Sequence, residues 1–570
     1  MCLGLSQVSL LVVGQRKRIV SITVYEGDEP MKRFWFTGLM FCLLVLVSTN
    51  LALAANANPE GQIVIVGTDI ETLNPMLSES TYETVVLNGI FSQLVRMDEA
   101  GNLVPDLALE VPTVDNGGIS ADGKVFTFHL RKDAKWHDGK PVTAKDVAFT
   151  WEMIMQAPQV VSRDGFSDIE RMETPDDYTV VMYLKEQRAA WLLNWAAISG
   201  AILPAHAWKG VEPKEFTKAH KLSRQPIGSG PFKLVEWKPG SHVILEANKE
   251  YYGEGPYLAK FIYRAVSDSN TQLTMLKTGE ADIAMNLVGD QYPQVQAIKR
   301  LQVSLDPGSA YTHMTFNLDN SLFQDKRVRQ ALNYALPRQL IVEKVLKGIG
   351  MVATTSTAPI LWAYDDSLEP YPFDPEKAKD LLTEAGWVDT DGDGIREKGG
   401  KRLAFSLSTS AGAKDRAQIA QIAKQFWKEI GVDLEIKLVE ATMLFGDVLE
   451  NRKFDMIMFG WLTPADPDEF TLYHSSQIPT PENEMLGQNY AGYVNPKVDQ
   501  LLEKGKSLLN QEERLPVYRD IQKIIYDELP MLYCYYFVDI HAAPKALENW
   551  RPAPFTNGIN WNVNQWRLAK

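Results

Sequence analysis

One string, Phe126-Thr-Phe-His-Leu-Arg-Lys-Asp-Ala-Lys-Trp136-His-Asp-Gly-Lys-Pro-Val-Thr143-Ala-Lys-Asp146-Val147, constrains this chain more than any other. Phe126, Phe128 and Leu130 alternate with polar residues, which predicts a strand with one buried face. Asp138-Gly139 marks a tight turn. Thr143, with an acidic residue three places on, has the form of a capping box at the head of an apolar-periodic helix. The chain therefore passes from strand to turn to helix within a few residues.

That alternation continues on both sides. Strands are expected at 62–66, 232–237, 242–246, 261–266, 314–317, 432–438, 454–461 and 531–538, and helices at 80–95, 327–334, 338–345 and 443–450 and across much of 496–529. Ile419, Ile422, Phe426 and Ile430 form a helical stripe that Gly431 ends. Strands alternating with helices imply an α/β fold with partly parallel sheets.

At 570 residues the chain exceeds one ordinary core and calls for two or three domains. A net charge of −14 argues against nucleic-acid binding, which needs a basic face. No Cys-x-x-Cys or His-x-x-x-His spacing supports a zinc site, and Gly-x-Ser-x-Gly is absent. No catalytic constellation emerges, and no cofactor is expected.

Met31-Lys-Arg, the apolar run Phe34–Val47 and the small-x-small patterns at 52–54 and 55–57 read as a secretory signal peptide over 31–57. Residues 1–30 read as an over-extended start. Cys42 follows Phe41 rather than a small residue, so no lipid anchor is expected. Cys2 and Cys42 leave with the leader, and Cys534 remains without a partner for a disulfide.

The string at 126–147 strongly resembles the signature of extracytoplasmic solute-binding proteins of family 5, the large peptide- and nickel-binding receptors of ABC importers. Gly228-Ser-Gly-Pro-Phe-Lys-Leu234, Leu276-Lys-Thr-Gly-Glu-Ala-Asp282, Phe323 to Arg338, Phe459-Gly-Trp461 and Tyr493-Val-Asn-Pro-Lys-Val-Asp499 resemble further landmarks of that family, in family order. The resemblance implies two lobes with a ligand between them, an α+β subdomain inserted in the first lobe, and two crossings of the chain between lobes. By similarity, lobe I is 58–101, 206–308 and 536–570, the inserted subdomain is 102–205, and lobe II is 309–535. It implies a monomeric periplasmic receptor, not an enzyme, that delivers a short peptide or peptide-like solute to an ABC permease with its ATPases. Alternatives are a same-fold receptor for an oligosaccharide or opine, a nickel or haem carrier, and a secreted hydrolase.

Expected ligand contacts are Ser80, Thr81 and Tyr82 after the Asn74-Pro75 break, Tyr311 and His313 near the lobe crossing, Trp461 and Thr463 at a strand end, and Asn489 and Tyr490 in a later loop. In peptide-binding relatives an aspartate three residues after the tryptophan pairs with the ligand's amino group. Pro464 stands there in this chain, and Asp466 is the next acidic residue. Asp389, Asp391 and Asp393 with Gly394 resemble half of a calcium loop, but Gly400 occupies the place of its bidentate glutamate. The plainer reading of that stretch is a solvated turn.

Overall fold

The structure is a computed structural model. It describes residues 59–570 apart from 286, 484, 554–557 and 570, and a short ribbon pairing Gln7–Val8 with Ile22–Thr23. The expected start segment and signal peptide otherwise lie outside the described residues. Among the described residues no helix is long and apolar enough to cross a membrane.

Lobe I is built on a five-stranded sheet. Its strands are β1 (Gln62–Gly67), β5 (Phe232–Lys238), β6 (His242–Ala247), β7 (Lys260–Ala265) and β8 (Ile283–Ala284), in the order β8-β1-β7-β6-β5. β1 runs parallel to β7 and β8, and the β5-β6-β7 meander is antiparallel. Helix α1 (Thr81–Ile90) packs beneath the sheet. Between β1 and β5 the chain forms the antiparallel sheet of β2 (Val125–His129), β3 (Ile169–Asp176) and β4 (Thr179–Leu184), together with helix α2 (Ala144–Gln156). Phe126, Trp136, Trp191 and Trp195 of this insert share one continuous apolar core with Ile63, Leu245 and Phe261 of the main sheet.

The string at 126–147 forms as its chemistry requires. Phe126 and Phe128 are buried, and the capping box at the head of α2 is made: the Thr143 backbone N–H donates to Asp146 at 2.8 Å. The Trp136 indole also donates to Asp146, at 3.3 Å. His137 clasps the turn before β5. Its Nδ1 accepts from the Gly228 N–H at 3.2 Å, and its Nε2 donates to the Gly230 carbonyl at 3.1 Å. The landmark at 126–147 and the landmark at 228–234 are thus two halves of one joint.

Lobe II holds a six-stranded sheet made of β9 (Leu301–Phe316), β10 (Met351–Val352), β11 (Ala404–Ser410), β12 (Asp433–Val439), β13 (Met456–Leu462) and β14 (Met531–Pro544), in the order β10-β14-β9-β13-β11-β12. Helices α3 (Lys414–Lys428), α4 (Pro496–Ser507) and α5 (Gln511–Glu528) cover it. On α3 the buried face is Ile419, Ala420, Ala423 and Trp427, while Ile422 and Phe426 are half-buried. The expected stripe is rotated because the Trp427 ring, its indole bonded to the Leu332 carbonyl at 2.9 Å, takes the centre.

β9 and β14 are far longer than expected, and together they carry the chain between lobes. They pair antiparallel from Leu301↔Pro544 to Thr315↔Met531. At one end Leu301 and Ala542 pack with Val66 and Leu276 of lobe I, and at the other Met314 and Leu532 pack with Leu407 of lobe II. Between Pro307↔Val538 and Tyr311↔Tyr536 the register slips, so Gly308, Ser309 and Ala310 face Phe537 alone. Such a bulge bends a ribbon and breaks its ladder, as a hinge requires. On the far side the lobes meet again. The Gln187 side chain donates to the Ser507 carbonyl at 2.5 Å, and Met97 packs with Leu361.

Candidate functional site: the inter-lobe cleft

Between the hinge ribbon and these far contacts lies a cleft of about 1020 Å³. Lobe I supplies Thr81 and Val85 of α1 and the segment around Met285–Asp290. Lobe II supplies Leu346, Asp415 and the stretch Leu462–Ala465. The floor is the ribbon itself, from Phe537 to Ala542, with Ser309 opposite and Trp550 beside it. The Thr463 N–H donates to the Ser309 carbonyl at 2.6 Å, which ties the lobe II wall to the bulge.

Most of the lining is apolar, with a few polar groups among it, the usual make-up of a ligand site. Its charged groups are Asp290, Asp415, Asp539 and Lys347, with His541 beside them. Asp415 accepts the Tyr535 hydroxyl at 3.0 Å. Asp539 faces Asp306 directly across the ribbon. Burial raises the Asp539 carboxyl above its ordinary pKa, and burial lowers the His541 imidazole.

Of the residues expected from the sequence, Thr81 and Thr463 border the cleft, and the others lie elsewhere. Ser80 caps α1, its hydroxyl accepting from the Tyr82 N–H at 3.1 Å, and the Tyr82 ring packs on the lobe I core. Tyr311 and His313 are buried in lobe II. His313 stacks edge-on against Phe459 at 4.4 Å, its Nδ1 pairs with the Thr315 hydroxyl at 2.9 Å, and burial alone holds its pKa down at about 3. Trp461 points away from its neighbour Leu462, as alternation along a strand dictates, and packs against Phe459 and Tyr490. Asn489 is fully buried, and its amide donates to the carbonyls of Tyr473, His474 and Tyr493.

Asp466 also departs from expectation. Its carboxylate is buried and grips Arg514 with two bonds, 2.6 and 2.7 Å long, so it belongs to the interior of lobe II. In the loop at 389–397, carboxylate oxygens of Asp389, Asp391, Asp393 and Glu397 gather within 4.8 Å of one another. These exposed groups already have partners. Asp389 accepts from the N–H groups of Gly392 and Gly394 at 2.7 and 3.0 Å, and Asp393 pairs with Arg402 at 2.5 Å.

Sequence reasoning missed the cleft floor: Asp539, His541 and Trp550. A signal for it is present, since Val538, Ile540 and Ala542 alternate with Asp539 and His541 at the period of a strand.

Residues 102–481 match the family model described as bacterial extracellular solute-binding proteins, family 5, middle region. The oligopeptide-binding protein AppA of Bacillus subtilis is 33% identical over 515 residues, which is 90% of this chain and 92% of AppA. The structure of AppA with a nonapeptide superposes with a TM-score of 0.66 at 31% identity, covering 90% of this chain and 100% of that one. NikZ of Campylobacter jejuni, solved with Ni(L-His), gives a TM-score of 0.67 at 30% identity over 89% of this chain and 100% of NikZ. DppA of Helicobacter pylori, solved with the peptide STSA, gives 0.67 at 25% identity over 90% and 99%. The two-lobed architecture and the matched length agree: this chain belongs to the bacterial extracellular solute-binding proteins of family 5.

Proposed function

We propose that this chain is a periplasmic receptor of an ABC importer, and that it carries short peptides in the inter-lobe cleft to a membrane permease driven by its ATPases. The observation that carries the reading is the cleft itself, about 1020 Å³ in size, walled by both lobes and floored by the ribbon that joins them. That volume is at the upper end of small-molecule sites, which suits an extended peptide better than a single metabolite. AppA and DppA, with peptides bound, supply the ligand class. The bulge at 308–310 is the natural place for the lobes to swing, so closure buries the solute and presents a changed surface to the permease. No step in this cycle changes a covalent bond of the solute. The leader pattern at 31–57 provides export, and the exported protein acts as a monomer.

Native mass spectrometry of the exported protein, followed by gentle release of its cargo, tests the reading. A ladder of peptide masses is the expected result. A single non-peptide mass, or masses spaced by hexose units, would overturn the peptide assignment.

A further inference from the structure

The charge lining the cleft is unbalanced. Asp290, Asp415 and Asp539 face it, against Lys347 alone among the lysines and arginines. A solute that fills the cleft displaces the water solvating those carboxylates, and a desolvated anion without a cation is costly. Bound cargo therefore has to bring positive charge to at least one of them.

The three carboxylates are not equivalent. Asp415 already accepts the Tyr535 hydroxyl, and it sits in the first turn of α3, where the helix dipole favours an anion. Asp290 stands exposed on a single 3₁₀ turn at the lobe I edge. Asp539 lies on the ribbon, open to the cleft yet surrounded by protein. Among the described residues nothing donates a hydrogen bond to its carboxylate, and no lysine or arginine pairs with it. The charged groups that act on it are Asp306 across the ribbon and His541 two residues on. Asp306 takes the Ser304 hydroxyl at 2.7 Å, and the His541 Nε2 is 4.0 Å from Asp306. Like charges directly opposite on paired strands are destabilising.

We propose that Asp539 receives the positively charged end of the cargo, the free amino terminus of a peptide, on the floor of the cleft. The proposal rests on the peptide-receptor reading above. Burial raises the Asp539 pKa, and Asp306 adds to it against the pull of His541, as befits an anion that lacks a partner. An ammonium group supplies that partner through charge-assisted hydrogen bonds. The location matters as much as the charge. The ribbon belongs to both lobes, so a terminus held there keeps its contact while the lobes swing, and the peptide is oriented before closure.

The test uses a randomised nonapeptide pool and the same pool N-acetylated, with affinities read by equilibrium dialysis for the wild type and Asp539→Asn. The wild type is expected to prefer the free pool by roughly tenfold or more, in line with a charge-assisted bond. Asp539→Asn should lose that preference and bind the acetylated pool as the wild type does, which also shows that it is folded. Should Asp539→Asn bind neither pool, Asp539→Ser decides by the same criterion. A preference that survives both substitutions overturns the proposal, and so does a wild type that binds both pools equally, which leaves the peptide reading standing. A wild type that binds neither pool overturns both.

Discussion

Arg514 of α5 closes two guanidinium nitrogens on the carboxylate of Asp466, and the pair is sealed inside lobe II with side-chain exposures of 5% and 11%. Removing one partner leaves the other charge buried and uncompensated. Asp466→Ala is therefore expected to lower stability by about 3–5 kcal/mol, measured by urea unfolding. Peptide affinity in the surviving folded fraction should stay within about twofold, because no part of the pair borders the cleft.

His137 gives the protein a dependence on pH. Burial holds its imidazole down at about 4, although its bond to Gly230 pulls the other way. An unfolded histidine titrates near about 6.5, so below that pH the unfolded chain takes up a proton that the folded chain refuses. Stability present above about pH 6.5 is then lost as pH falls toward 4, and at pH 5 this one group accounts for roughly 2 kcal/mol. The urea midpoint should drop between about pH 7.5 and 5, and the drop should be smaller in His137→Gln. His313, held down at about 3, works in the same direction and remains in both proteins.

The turn that His137 grips has no room for a side chain. A Cβ on Gly228 would overlap the carbonyl oxygen of Ile90, and the Gly230 N–H donates to that same carbonyl at 2.8 Å. Backbone cannot retreat as a flexible side chain can. Gly228→Ala is expected to cost at least about 3 kcal/mol in the same unfolding measurement.

Cys534 lies fully buried in β14, and burial pushes its thiol up to about 12. The thiolate is the reactive form, so the folded protein should be inert. In protein without residues 1–57, a chromogenic disulfide reagent at about pH 8 should report no thiol natively and one after unfolding in guanidinium. Prompt labelling of the native protein would show that β14 opens.

Local chemistry was legible in the sequence. The alternation at 126–130, the box at Thr143 and Asp146, and the helices at 327–334 and 338–345 appear almost as expected. The ribbon was not, because Pro307-Gly308-Ser309 reads as a chain breaker, and only the facing strand shows that it is a bulge inside one long element. The helix expected at 80–95 stops at Ile90 because the chain turns there to pass under Gly230. At the site, Asp466 looked available because its partner Arg514 is 48 residues away. Trp461 looked like a cleft residue because proximity in sequence to Thr463 does not reveal which strand face it takes.

The clasp between His137 and the 228–230 turn has a consequence for how such chains are sorted. None of its members borders the cleft among the described residues. The string that makes the chain easy to place works as a maker's mark and says nothing of the contents. Two receptors can share it letter for letter and still ferry unrelated cargo. What each one carries is written on the ribbon between its lobes, in residues that no shared string includes.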